Sequence, residues 1–180
     1  MDYGTIIISI CLGVGLAAAV GFRVFLPLLV LSLAGYYDVI PLNESWEWAG
    51  SLTAVIVMAL ATVSELFGYY IPWVDNALVS IAIPLATIAG TMVMVATVSD
   101  LSPVVTWALA IIAGGGTATA IKGNASALRL TSSATTGGLG HPVVATVETG
   151  TATVMSVASI FIPGLAFVCV LVIFFGIYRF

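Results

Sequence analysis

Long apolar runs fill this chain, and its polar residues fall in narrow clusters between them. A membrane-crossing helix needs about 20 mostly apolar residues. The pattern predicts six such helices, over residues 5–33, 49–69, 76–98, 103–131, 142–162 and 164–178. Each break has a local cause. The stretch after the first helix holds Asp38, Pro41 and Glu44 and reads as a loop. Tyr70, Ile71, Pro72 and Trp73, followed by Asp75 and Asn76, read as a turn with aromatic residues at interface depth. Ser102 before Pro103 is an N-cap followed by proline at the first helical position. Gly137, Gly138 and Gly140, ahead of His141 and Pro142, are too glycine-rich to stay helical. At Pro163 and Gly164 the choice is open. One helix from Pro142 to Phe180 would be about 58 Å long, roughly twice the hydrocarbon thickness, which predicts a tight hairpin. A kinked single helix is the alternative and would leave five spans.

The fold class expected is therefore all-α: an integral membrane helical bundle of about six transmembrane helices in one domain, residues 1–180. The first and fourth helices carry matching small-residue stripes, Gly13, Ala17 and Gly21 against Ala110, Gly114 and Ala118. Each stripe is followed by a basic residue, Arg23 or Lys122, and the next helix in each half carries one glutamate, Glu65 or Glu148. Three helices per copy would insert the second copy upside down, so residues 1–99 and 100–180 form a candidate 3+3 inverted repeat.

Composition strengthens the membrane reading. The chain is 61% hydrophobic and 7% charged, where soluble domains carry about 25% charged residues. Mean hydropathy is +1.23. Eight acidic and four basic residues give a net charge of −4, which excludes the basic footprint of a nucleic-acid-binding domain. Cys11 and Cys169 lie inside apolar runs and imply neither a disulfide framework nor a metal site. The first segment lacks the basic flank of a signal peptide, and Ile10 is too bulky for a lipoprotein cleavage box ahead of Cys11, so the segment is expected to stay as a membrane helix. With six spans, Arg179, Lys122 and Arg129 sit near one side, and Asp38, Glu44, Glu47 and Asp100 on the other. The positive-inside rule then places both termini in the cytoplasm.

The candidate chemistry lies in charges inside the apolar runs. Arg or Lys at mid-helix costs about 2.5–3.5 kcal/mol on insertion scales, so such residues need partners. Arg23 is deep in the first run, Lys122, Ser126 and Arg129 share one face of the fourth helix, and Glu65 and Glu148 are the acids within spans. Together these charges would leave one positive charge uncompensated. The functional reading is a polar path or anionic-ligand site. The structural one is interhelical ion pairs, with Lys122 and Arg129 snorkelling to headgroups. The segment from Leu130 to Pro142, with Thr135, Thr136, Gly137 and Gly138, is expected to be irregular. Its free N–H groups could hold an anion. No hydrolase elbow, metal spacing or cofactor motif is present, so no enzyme is expected.

Residues 15–29, around Gly21, Phe22, Arg23 and Pro27, resemble the opening of a bacterial membrane family known as a domain of unknown function, number four thousand one hundred and twenty-six in its series. The run from Leu128 through Arg129 to Gly140, then Pro142, Val143 and Val144, is similar to that family's second signature, with Asn43 and Trp46 to Trp48 fitting between. His141 departs from the asparagine expected there. The resemblance implies a multi-pass protein of the bacterial inner membrane and brings no activity with it. Two functions follow as expectations. One is a small-solute transporter or channel, its substrate an anion. The other is a non-transporting subunit or lipid-binding scaffold. Membrane lipid is the expected partner, and a homodimer would thicken so thin a bundle.

Overall fold

The computed structural model describes residues 3–69, 72–98, 101–136 and 140–179. Among them there are helices and no strands. The helices are α1 (Tyr3–Phe22), α2 (Phe25–Tyr36), α3 (Leu52–Gly68), α4 (Pro72–Thr97), α5 (Pro103–Leu109), α6 (Gly116–Thr136), α7 (His141–Phe161) and α8 (Pro163–Arg179). A 3-10 turn, Glu44–Gly50, precedes α3, and a π-helical segment, Ala110–Gly115, joins α5 to α6. Four helices are long and apolar enough to cross a membrane, or five if the bent pair Glu44–Gly50 and Leu52–Gly68 counts as one span. This is fewer than the six expected. The last expected span, α8, is a shorter apolar helix of 17 residues.

The centre of the bundle is α1, which packs against α4, α6, α7 and α8. Leu16, Ala17, Ala18, Ala19 and Val20 are completely enclosed. Small residues permit this. A Cβ on Gly13 would lie 2.4 Å from Met94 Sδ, and one on Gly21 would lie 2.6 Å from Ile121 Cβ. Close backbone approach is how helices associate where burial from water gives no advantage.

Neighbouring residues set the direction of each helix. Gly13 lies against Met94 and Thr97 at the end of α4, and Gly15 against Ser159 and Ala166, where α7 ends and α8 begins. Call this the upper end. Lower down, Gly21 lies against Ala118 and Ile121 of α6, and Phe22 shares a cleft with Ile173 and Ile177 of α8. So α1, α6 and α8 run downward, while α4 and α7 run upward. The break at Pro163 is thus the tight hairpin expected, not a kink.

The expected first helix is broken. After Phe22 the backbone leaves the helix, and α2 starts at Phe25. Leu31 and Ser32 then meet Met92 and Ala96 of α4, and Val30 and Leu33 meet Val157 and Ile160 of α7, all at the upper end. Beyond α2, Asn43 N–H donates to the Ala96 carbonyl (2.9 Å) and Asn43 Nδ2 to the Val98 carbonyl (2.9 Å). The turn that ends α2 puts Asp38 in the left-handed region (φ 53°), with Val39 N–H bonded to the Ala34 carbonyl. Helices α1 and α2 therefore form a hairpin that enters and leaves by the upper end. Its tip lies level with Ala145 and Thr149, roughly 6–12 Å inside the start of α7.

Three expectations change with this hairpin. Residues 5–33 are not one span. The start of α1 lies at the upper end of the bundle and the finish of α8 at the lower, which does not match an arrangement with both ends together. And α1 runs in the same direction as α6, so the inversion expected between the first and fourth helices does not relate them; their matching stripes pack on a common core. A fourth correction concerns α6, which stays helical through Thr136, so the segment from Leu130 is not irregular that early. Pro103 stands at the first turn of α5 as expected, but Ser102 makes no side-chain cap.

Candidate functional site

The tip of the hairpin collects five charged side chains, all buried: Arg23, Glu65, Lys122, Arg129 and Glu148. Each answers a need of the backbone or of another charge. The start of α2 exposes N–H groups with no intrahelical acceptor. Glu65, reaching in from the last turn of α3, accepts from Val24 N–H and Phe25 N–H, each at 3.0 Å, through its two carboxylate oxygens. The finish of α1 leaves free carbonyls, and Lys122 Nζ donates to the Phe22 carbonyl at 2.9 Å. An anion thus sits at a helix start and a cation at a helix finish, both favourable to the helix dipoles.

Arg23 lies between them and is 1% exposed. Its Nε donates to Thr149 Oγ1 (3.0 Å) and its Nη2 to the Ala145 carbonyl (2.9 Å), which the Thr149 hydroxyl also reaches (2.8 Å). Arg129 forms a two-pronged pair with Glu148: Nε donates to Oε1 at 2.9 Å and Nη2 to Oε2 in a shorter contact. Arg23 Nη2 is 4.0 Å from the same Oε2. The ring of Tyr69 bridges the two guanidiniums, with Arg23 Cζ 4.1 Å and Arg129 Cζ 4.3 Å from its centroid.

Two properties mark this cluster. Among the described residues it brings together three cations and two carboxylates in one buried place. And Arg23 Nη1 is the buried side-chain polar atom that has no hydrogen-bond partner among the described residues. A buried charge left partly unpaired costs several kcal/mol, and its usual remedy is a counter-ion.

The cluster borders two spaces. A polar void of about 10 Å³, enough for about one water, lies among Tyr69, Lys122, Ser126, Arg129 and Glu148. A larger cleft of about 480 Å³ lies between α6, α7 and α8, with Phe22 at its edge. Ala125 and Glu148 line both.

Of the residues picked out in the sequence, Arg23, Glu65, Lys122, Ser126, Arg129 and Glu148 meet here. Lys122 and Arg129 do not snorkel; they are 3% and 6% exposed. Gly137 and Gly138 lie outside the described residues, as do the side chains of Thr135, Thr136 and His141. Three participants carry no advance signal in the sequence: Tyr69, Thr149 and the backbone groups at the α1–α2 break. Tyr69 ends the second expected span, beside the aromatic turn that reads as an interface belt, yet it is 7% exposed.

Glu65→Gln tests the cap on α2. A glutamine offers one carbonyl and turns an N–H donor toward one of the two amides. Stability is expected to fall by about 1–3 kcal/mol, read as a lower thermal midpoint in detergent. An unchanged midpoint would mean the two amides find other acceptors.

No curated protein and no solved structure matches the chain. Residues 10–180, which hold the whole cluster, match the family described as Domain of unknown function (DUF4126), and the chain belongs to that family.

Proposed function

We propose that this protein moves a small anionic solute across the membrane, with its binding site at the tip of the α1–α2 hairpin. The observation that carries this reading is Arg23 Nη1, a buried guanidinium nitrogen at that tip with no hydrogen-bond partner among the described residues. Transporters commonly place broken helices near the middle of the membrane and use the freed helix ends to hold charge. Ionisable residues at that depth are costly and mark ion or substrate paths. The polar void beside Arg129 is too small for most solutes, so passage requires the hairpin tip to move relative to α6 and α7.

The orientation follows from the charges. The lower end carries Arg179, with Lys122 and Arg129 in its half of the bundle; the upper loop carries Asp38, Glu44 and Glu47. We place the lower end, with the end of α8, in the cytoplasm of a bacterial inner membrane, and the start of α1 on the other side. A reporter fused to each end would read this directly. A homodimer is part of the same proposal.

The test is flux. Protein reconstituted in liposomes is offered a panel of chloride, nitrate, phosphate and mono- and dicarboxylates. At least one anion is expected to cross, and Arg23→Gln is expected to slow it by about tenfold or more, equivalent to about 1.4 kcal/mol. Thr149→Val, which keeps the side-chain shape but removes the hydroxyl that accepts from Arg23 Nε and donates to the Ala145 carbonyl, guards against a folding defect and is expected to slow the same anion less. No flux for any anion would overturn the proposal and leave the alternative, a non-transporting lipid-binding scaffold.

A further inference from the structure

We propose that the cleft between α6, α7 and α8 binds an uncharged long-chain alcohol, its hydroxyl held between Thr151 and Asn124 and its chain laid along the apolar wall. This site is separate from the anion path and does not rest on it. At about 480 Å³ the cleft falls within the roughly 300–1,000 Å³ of ordinary ligand pockets. Phe22, Ile121, Val144, Ile173 and Ile177 make most of its wall apolar. Leu128, Val143 and Val147, in the same wall, are 68%, 66% and 62% exposed, so the cleft opens to the side of the bundle, toward lipid. Its polar residues are Asn124, Ser132, Glu148 and Thr151. The one that is charged, Glu148, is already gripped by Arg129. Complementarity therefore calls for a neutral occupant.

Two of the polar groups lack partners. A hydroxyl on an apolar helix ordinarily bonds to the carbonyl one turn back. On α7, Thr146, Thr149, Thr153, Ser156 and Ser159 all do so, at 2.6–2.8 Å. Thr151, in the wall of the cleft, has no hydrogen-bond partner among the described residues. Across the cleft on α6, Asn124 turns its amide N–H onto the Ala120 carbonyl (2.9 Å). Its own carbonyl oxygen is left without a partner among the described residues. The two residues stand close in depth. Arg129 pairs with Glu148 between these antiparallel helices, and Asn124 and Thr151 lie about 7.5 and 4.5 Å above that pair. Away from water, each unmet group costs free energy. Asn124 Oδ1 can only accept, while the Thr151 hydroxyl can donate and accept. A ligand hydroxyl satisfies both, donating to Asn124 and accepting from Thr151. An ester or ketone oxygen has nothing to donate to Asn124. A carboxylate fails in the same way and also faces the carboxylate of Glu148.

Equilibrium binding of tritiated hexadecanol to the purified full-length protein tests this, in lauryldimethylamine oxide, a detergent without hydroxyl groups. Hexadecanol is expected to bind, and hexadecane, methyl palmitate and palmitate each to compete at least about tenfold more weakly. Thr151→Val, which keeps the side-chain shape and removes the hydroxyl, is expected to weaken binding by about fivefold or more, and Asn124→Leu by a similar factor. Val144→Trp, which fills the cleft, is expected to weaken it by about tenfold or more, with Val147→Trp serving if that variant fails to fold. Val154→Trp, on the outer face of α7 at 67% exposure, is expected to bind as wild type. Absence of hexadecanol binding, hexadecane or methyl palmitate competing as well as hexadecanol, or binding indifferent to both Thr151→Val and Asn124→Leu would overturn the proposal. A dimer that Val147→Trp dissociates, with no hexadecanol bound by the wild type, would give the cleft to a second copy of the chain instead. Anion flux bears on none of these outcomes, so this proposal and the transport reading fail separately.

Discussion

Glu148→Ala is expected to destabilise the protein by about 3–5 kcal/mol, because it removes the carboxylate that pairs with one buried arginine and lies within 4.0 Å of a second. Arg129 loses both prongs of its pair, and Arg23 loses the oxygen 4.0 Å from its Nη2. The informative control is the double variant Arg129→Leu with Glu148→Leu. Removing both partners takes away the unpaired charge along with the pair, so the double variant is expected to be more stable than Glu148→Ala alone. Denaturant titration of the three proteins in detergent would measure it. If the double variant is the least stable of the set, the cost lies in packing and not in charge, and the electrostatic account of the cluster fails.

The second large effect is steric. Gly114→Val is expected to cost about 1–3 kcal/mol or more, since the helices it would push apart meet through backbone. A Cβ on Gly114 would lie 2.5 Å from the Gly90 carbonyl oxygen, and one on Gly90 would lie 2.8 Å from that of Gly114. Neither atom belongs to a side chain that can rotate away. The π-helical segment that carries Gly114 also brings Gly115 against Thr91, so α4 and α6 are locked over two consecutive turns. Gly116→Val provides the comparison: nothing lies within 4 Å of a Cβ there, and its midpoint is expected to stay within about 0.5 kcal/mol of wild type. Equal effects at the two positions would rule out close packing as the cause.

Much of this architecture is legible in the sequence, and its limits are physical. Pro103, Pro142 and Pro163 mark helix starts correctly because proline fits a first turn and little else in a helix. The embedded charges are legible because a lone cation in an apolar run must find a partner. The hairpin at Arg23 is not, because hydropathy runs on unbroken from Ile6 to Leu33. Pro27 is the one local hint. It sits in the first turn of α2, where its missing N–H costs nothing, and so reads equally as a kink or a start. Tyr69 is hidden for a related reason. An aromatic at the end of a span has the same local sequence whether it faces headgroups or turns inward onto two arginines. The carbonyls and amides of Phe22, Val24 and Phe25 have no side-chain signature at all.

The hairpin also sets a timetable for the growing chain. Arg23 donates its hydrogen bonds to residues 122 and 126 positions further on. At about 5–20 residues per second, synthesis of α7 follows that of the hairpin tip by roughly 6–25 s. For that interval the bilayer or the insertion machinery must shelter an arginine whose permanent neighbours do not yet exist. A nascent chain halted before α7 is therefore expected to hold its first two helices loosely, open to proteolysis, until the seventh arrives to close over them.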